Sequence, residues 1–131
     1  MVKEELKLDS ITTNYYSCNL CKTGNDVMLN FDNVNLIFLD CLIFKCGYPN
    51  EEIYMHYDYY TEGSMKKYCI YNIEESEWIK ELVVMNRIHQ RHTDEIFKKE
   101  KHFIILFEDE VFECISTSFK VSVPPLTDVK Q

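Results

Sequence analysis

The chain has 131 residues, 46% of them apolar, and its 22 acidic and 14 basic side chains give a net charge of −8. That length favours one domain around one core, and nine Tyr and eight Phe argue against disorder of the whole chain. The negative balance disfavours nucleic acid or an anionic membrane as a partner, because phosphate recognition needs a basic surface; a basic protein would be attracted instead.

No apolar run approaches the roughly 18–20 residues that span a bilayer. The first ten residues, MVKEELKLDS, hold no apolar signal core, so a cytoplasmic location is expected. In that compartment the six cysteines, at 18, 21, 41, 46, 69 and 114, read as reduced and mostly buried thiols rather than three disulfides.

Residues 1–24 are mixed and polar and are expected to be loosely ordered. Turns fall at Thr12-Thr13-Asn14 and Lys22-Thr23-Gly24-Asn25, with an edge strand through Tyr15 and Tyr16. Val27, Leu29 and Phe31 alternate as one face of a strand. Asp32-Asn33 can then turn the chain, since both tolerate positive φ. Val34 to Cys46 reads as one or two buried strands, closed by Gly47-Tyr48-Pro49-Asn50. Glu51 to Lys67 loses all periodicity and reads as a long surface loop.

Cys69 to Ile73 forms another short strand. Ser76 then offers an N-cap for a helix over 76–93, with Glu77 placed against the positive helix end. Trp78, Ile79, Leu82, Met85 and Ile88 follow helical spacing and should face a sheet, leaving Lys80, Glu81, Arg87 and Gln90 to water. His102–Phe107 and Val111–Ser116 form a hairpin across Glu108-Asp109-Glu110. Its turn lacks Gly, which favours a longer loop built on a type I turn. Phe119, Val121 and Val123 alternate before Pro124-Pro125 stops the strand, and 124–131 is a loose tail. The expected fold is α+β: a single domain over 1–131, with an antiparallel sheet of five to seven strands carrying one main helix on one face.

Motifs that would dictate a chemistry are few. Cys18-x-x-Cys21 has the spacing of a zinc or redox pair, but the second pair that a structural zinc needs has no matching spacing. His89 and His92 share a helix face and His102 follows, a drawable metal or acid–base cluster. Arg87, Arg91, Lys98, Lys99 and Lys101 surround it, which suits a solvated helix end better. No Gly-x-Ser-x-Gly, glycine-rich phosphate loop or His-Glu-x-x-His occurs. No catalytic residue, metal or cofactor is expected on this reading.

The segment Tyr48 to Glu62 sets five tyrosines among Glu51, Glu52, Asp58 and Glu62 without Lys or Arg. Tyr supplies a large rigid contact area with one polar tip, and interleaved carboxylates steer a basic partner. Tyr54, Tyr57, Asp58, Tyr59, Tyr60 and Glu62 are the candidate partner-binding residues. Glu108, Asp109, Glu110 and Glu113 form a second acidic patch, read first as a solvated turn.

DCLIFKCGYPNEE (40–52), SEWIKEL (76–82) and HFIILFEDEVFEC (102–114) resemble a family of small uncharacterised bacterial proteins, over about two thirds of the chain. Where that family carries Asp-Ser-Thr in the final hairpin, this chain has Glu108-Asp109-Glu110-Val111. Short, acidic and single-domain, the family is similar in general character to toxin-neutralising immunity proteins. The resemblance implies a non-enzymatic inhibitor that binds a basic, toxin-like partner. A metal- or ligand-binding protein using the His or Cys cluster, and a homodimeric structural protein, are the alternatives.

Overall fold

Alternation decides the first layer. In the computed structural model, which describes residues 2–16, 18–47, 65–87, 97–108 and 110–123, Val27, Leu29 and Phe31 are all essentially fully buried. They belong to β3 (Asp26–Asn30) and its exit, flanked by β2 (Asn19–Thr23) and β4 (Asn35–Leu39). Both hairpin turns use residues that tolerate positive φ, Gly24 at 61° and Asp32 at 75°. With β9 (Ser118–Ser122) these strands make a four-stranded antiparallel sheet in the order β2-β3-β4-β9.

The second sheet has the order β1-β6-β7-β8-β5. Its strands are β1 (Val2–Lys7), β5 (Ile43–Gly47), β6 (Cys69–Ile73), β7 (Lys101–Leu106) and β8 (Val111–Ser116). Every β8 residue and all of β7 after Lys101 are buried, which is why HFIILF and VFECIS read as continuous runs rather than alternating ones. Their inward residues Phe103, Ile105, Phe112 and Cys114 meet Val27, Leu29, Leu36 and Phe38 of the other sheet in one core. Phe38 is the hub, with ring centroids 5.6 Å from Phe103 and 5.2 Å from Phe112. Each such ring removes roughly 150–250 Å² from water. On the outward face, Tyr71, Ile73, Ile104, Leu106 and Val111 form a second buried cluster with Met65 and Cys69.

The two sheets meet at a corner, with no strand in common. Near Asp40, at φ 48°, the chain leaves β4 for β5, and at Thr117 it passes from β8 to β9. β4 pairs with β9, and β5 with β8, so one two-stranded ribbon runs through both layers. The Leu39 carbonyl accepts from both the Thr117 N–H at 3.1 Å and its hydroxyl at 3.3 Å, fixing the bend.

The α+β class holds: the described residues are mostly antiparallel sheet with one α-helix, α1 (Glu77–Asn86). Among the described residues, nine strands in two sheets replace the expected one sheet of five to seven. Tyr15 and Tyr16 lie in no strand; their rings stack at 4.5 Å and meet Tyr68 edge-on. The polar N-terminal stretch supplies β1 and β2, both at sheet edges, where polar residues are tolerated. β5 is likewise an edge with an exposed pattern, not a buried strand.

α1 stops at Asn86, short of the expected end at 93; Ile88 and Gln90 lie outside the described residues. Its inward stripe is Trp78, Ile79, Leu82, Val83 and Asn86, each half-buried. Met85 falls about a quarter-turn from the centre of that stripe and is 66% exposed, contrary to the sequence expectation.

Candidate functional site

The helix cap builds the one cluster of convergent polar side chains that the described core contains. The first N–H groups of a helix lack intrahelical partners, and Ser76 Oγ satisfies one by accepting from the Ile79 N–H at 3.1 Å. The same Oγ lies 2.7 Å from His102 Nδ1, and His102 Nε2 lies 2.8 Å from Glu113 Oε1. Ser76, His102 and Glu113 are 4%, 1% and 2% exposed.

Register explains the meeting. His102 on β7 pairs with Ile115 on β8, and Ile104 pairs with Glu113. The two polar residues are therefore diagonal neighbours on the outward face, within reach of long side chains. Trp78, two residues into the helix segment, meets the His102 ring edge-on at 5.2 Å. Lys45, directly opposite Glu113 on β5, places its Nζ 4.1 Å from the centre of the Trp78 ring.

One tautomer gives every atom a consistent role. Nε2–H donates to the Glu113 carboxylate. Nδ1 accepts the Ser76 hydroxyl proton, and the Ser76 oxygen accepts from the backbone. Such a chain is strong because the local dielectric is low and one acceptor carries charge. Its order also matches the serine, base and carboxylate of an acyl-transfer relay. The serine, however, is buried and already engaged by the helix, so the arrangement as it stands fastens α1 to the sheet.

Two surface pockets adjoin described elements. One, of about 360 Å³, sits at the start of α1 and is lined by Glu74, Glu75, Ser76, Lys80, Glu100 and Lys101 among others. In it Glu100 Oε2 is buried with no hydrogen-bond partner among the described residues, and burial, then Asp40, pushes the Glu100 carboxyl above its ordinary value. The other, of about 220 Å³, is lined by Lys7, Asp9, Tyr15, Lys66, Lys67 and Tyr68 with Cys69. Lys67 is already paired with Glu108 at 2.9 Å.

The residues singled out from sequence fare unevenly. Tyr54, Tyr57, Asp58, Tyr59, Tyr60 and Glu62 lie outside the described residues, as do His89 and His92. His102 belongs to no solvated cluster; it is buried with both ring nitrogens engaged. Cys18 is half-buried against the core while Cys21 is exposed on β2, its Sγ 3.9 Å from Thr23 Oγ1. Burial, with Cys46 and Glu110 nearby, pushes the Cys18 thiol up to about 12. Cys69 and Cys114 are buried, but Cys21 and Cys46 are exposed, so burial of the cysteines is only partial. Glu113, read as part of an acidic surface patch, points into the His102 cluster instead. Among the described residues no group of three or more His, Cys, Asp or Glu side chains is placed to hold a metal ion.

The Ser76–His102–Glu113 cluster was missed, although a signal existed. In a hairpin with its turn at 107–110, residues 102 and 113 fall at the parity of Ile104 and Ile115. Two polar residues at one parity within apolar runs indicate a buried pair. No family model, no curated protein and no solved structure matches this chain. No helix among the described residues is long and apolar enough to cross a membrane.

Proposed function

We propose that this chain is a non-enzymatic protein-binding module that engages a basic protein, in the manner of an immunity-type inhibitor covering a toxin's active site. The observation that carries the reading is the outward side of α1. Val84 and Met85 are 59% and 66% exposed beside the exposed Glu77 and Glu81. A solvent-facing helix side with apolar residues amid carboxylates suits a contact surface, where Met is enriched and rim charges set the encounter rate. The net charge of −8 favours a basic partner, and the acidic tyrosine segment supplies anchors of the kind that dominate interfaces, Tyr54, Tyr57, Asp58, Tyr59, Tyr60 and Glu62.

The test is a partner isolated from the native cell and measured by surface kinetics. The association rate should fall steeply with added salt. Joint replacement of Tyr57, Asp58 and Tyr59 by Ala should weaken binding at least about 100-fold, as expected when hot-spot anchors are lost. Unchanged affinity in that variant, with loss in Val84→Lys/Met85→Lys, would move the contact to the helix. Unchanged affinity in both would refute the surface.

A second reading is favoured by the Ser76–His102–Glu113 relay, which would make Ser76 a nucleophile, His102 its base and Glu113 the base's orienting partner. A fluorophosphonate that labels wild-type chain at Ser76, but neither Ser76→Ala nor His102→Gln, would establish it. An unlabelled, folded wild type leaves the relay as a clamp.

A further inference from the structure

The cavity of about 220 Å³ beside Tyr68 uses no residue of the helix clamp or of the proposed protein contact. Lys7, Lys66, Lys67, Tyr15 and Tyr68 line it together with Asp9. Two segments bring the three ammonium groups together. Lys7 closes β1 opposite Cys69 of β6, and Lys66 and Lys67 sit on the stretch that leads into β6. That stretch is pinned residue by residue. The Lys66 N–H donates to the hydroxyl of buried Tyr71 at 2.8 Å, and Lys67 bridges to Leu106. Tyr68 donates its N–H to the Leu106 carbonyl at 2.7 Å, and its carbonyl accepts from the Leu8 N–H at 2.9 Å.

Tyr68 is thereby held at φ 63°, a left-handed backbone that is uncommon for a bulky side chain. Such strain persists only where the surroundings over-determine it, and it gathers at ligand clamps. The Tyr68 ring meets Tyr15 edge-on at 5.1 Å, and Tyr16 stacks on Tyr15 at 4.5 Å, so a ring outside the cavity braces its aromatic wall. Of the three lysines only Lys67 is ion-paired among the described residues, to Glu108. Setting Asp9 and Glu108 against Lys7, Lys66 and Lys67 leaves one surplus positive charge here, on a chain whose total is −8.

We propose that this cavity binds a single aromatic ring carrying a phosphate group. Lys7 and Lys66 take the phosphate as two point charges. Lys67 adds a third, because its bridge to Glu108 is exposed and weakly held. Tyr15 and Tyr68 take the ring in edge-on or offset contact. Inorganic phosphate would use the lysines and leave the phenol wall idle, and a neutral ring would do the reverse. The volume falls below the roughly 300–1,000 Å³ of pockets that enclose drug-sized ligands, which favours one ring over the fused base and sugar of a nucleotide. An aryl phosphate meets these terms whether it is a free small molecule or the side chain of a phosphotyrosine.

Titration of phenyl phosphate into the intact chain, read by calorimetry and by amide NMR shifts, tests this. One saturable site is expected, with shifts centred on Lys7, Tyr15 and Tyr68 and an affinity at least about tenfold above that of inorganic phosphate or phenol. Lys7→Gln/Lys66→Gln should weaken binding at least about tenfold, while Lys120→Gln, exposed on the other sheet, leaves it unchanged. Tyr15→Leu should lose most of the preference over inorganic phosphate, and the lysine variants still test the site if that variant does not fold. A phosphotyrosine peptide that shifts the same residues and binds more tightly than phenyl phosphate identifies a modified protein as the source; equal or weaker binding identifies a free small molecule. No saturable binding of phenyl phosphate, shifts centred elsewhere, or equal affinity for inorganic phosphate overturns the proposal.

Discussion

Replacing His102 by Ala would excise the centre of the buried relay, and its cost can be worked from the contacts. The imidazole holds Ser76 Oγ at 2.7 Å and Glu113 Oε1 at 2.8 Å. Its loss strips both from a site where Ser76 and Glu113 are at most 4% exposed. Breaking one side of a buried, charge-assisted pair costs about 3–5 kcal/mol, and the void left against Trp78 adds to it. One deletion causes both effects, so they overlap, and the expected destabilisation is about 4 kcal/mol. For a domain of this size that is a drop of roughly 12 °C in Tm.

Urea unfolding followed by fluorescence is the natural assay, because the chain's one Trp is Trp78, packed on His102 itself. The control is His102→Leu/Glu113→Leu, which removes the charge and its partner together and should stay within about 2 kcal/mol of wild type. A His102→Ala loss under about 1.5 kcal/mol, or a Glu113→Leu single variant as benign as the double, would refute the view that this relay fastens the helix.

Ser76→Ala removes a helix cap worth about 1 kcal/mol and the partner of His102 Nδ1, worth about another 1–2 kcal/mol, so urea melts should show a loss of about 2–3 kcal/mol with Ser76→Thr much milder. Glu100 has its folded-state value raised, chiefly by burial, so its contribution is complete in acid and is lost as pH rises through that raised value. Glu100→Gln should therefore raise Tm at pH 7, and the gain should vanish below the ordinary glutamate value near about 4; a gain independent of pH would be evidence against it. Cys18, pushed up to about 12, should resist iodoacetamide at pH 8 while exposed Cys21 reacts, read by peptide mass; equal labelling would show that burial does not protect it.

What sequence could and could not reveal follows from how each element is held. Cys69–Ile73, the hairpin across 107–110 and the Ser76 cap were legible because local pattern and tertiary role agree there. β1 and β2 were not, since edge strands in polar sequence are held by pairing with β6 and β3 rather than by their own pattern. The split into two sheets was hidden as well. Asp40 and Thr117 look like ordinary polar residues, and only their partners across the ribbon turn them into a bend. His102 and Glu113 were each weighed with their charged sequence neighbours, whereas cross-strand register, not proximity along the chain, decides their company.

The bend at Leu39 and Thr117 also limits how this molecule can come apart. Two layers joined only by loops could swing open like a book about a hinge. Here backbone hydrogen bonds from Thr117 to Leu39 and from Leu42 to Ile115 bridge the bend, so separating the layers requires breaking them. The amides of β4, β5, β8 and β9 that bond across the ribbon should then exchange together, through one shared opening. Any encounter that reshapes the molecule must act at its margins.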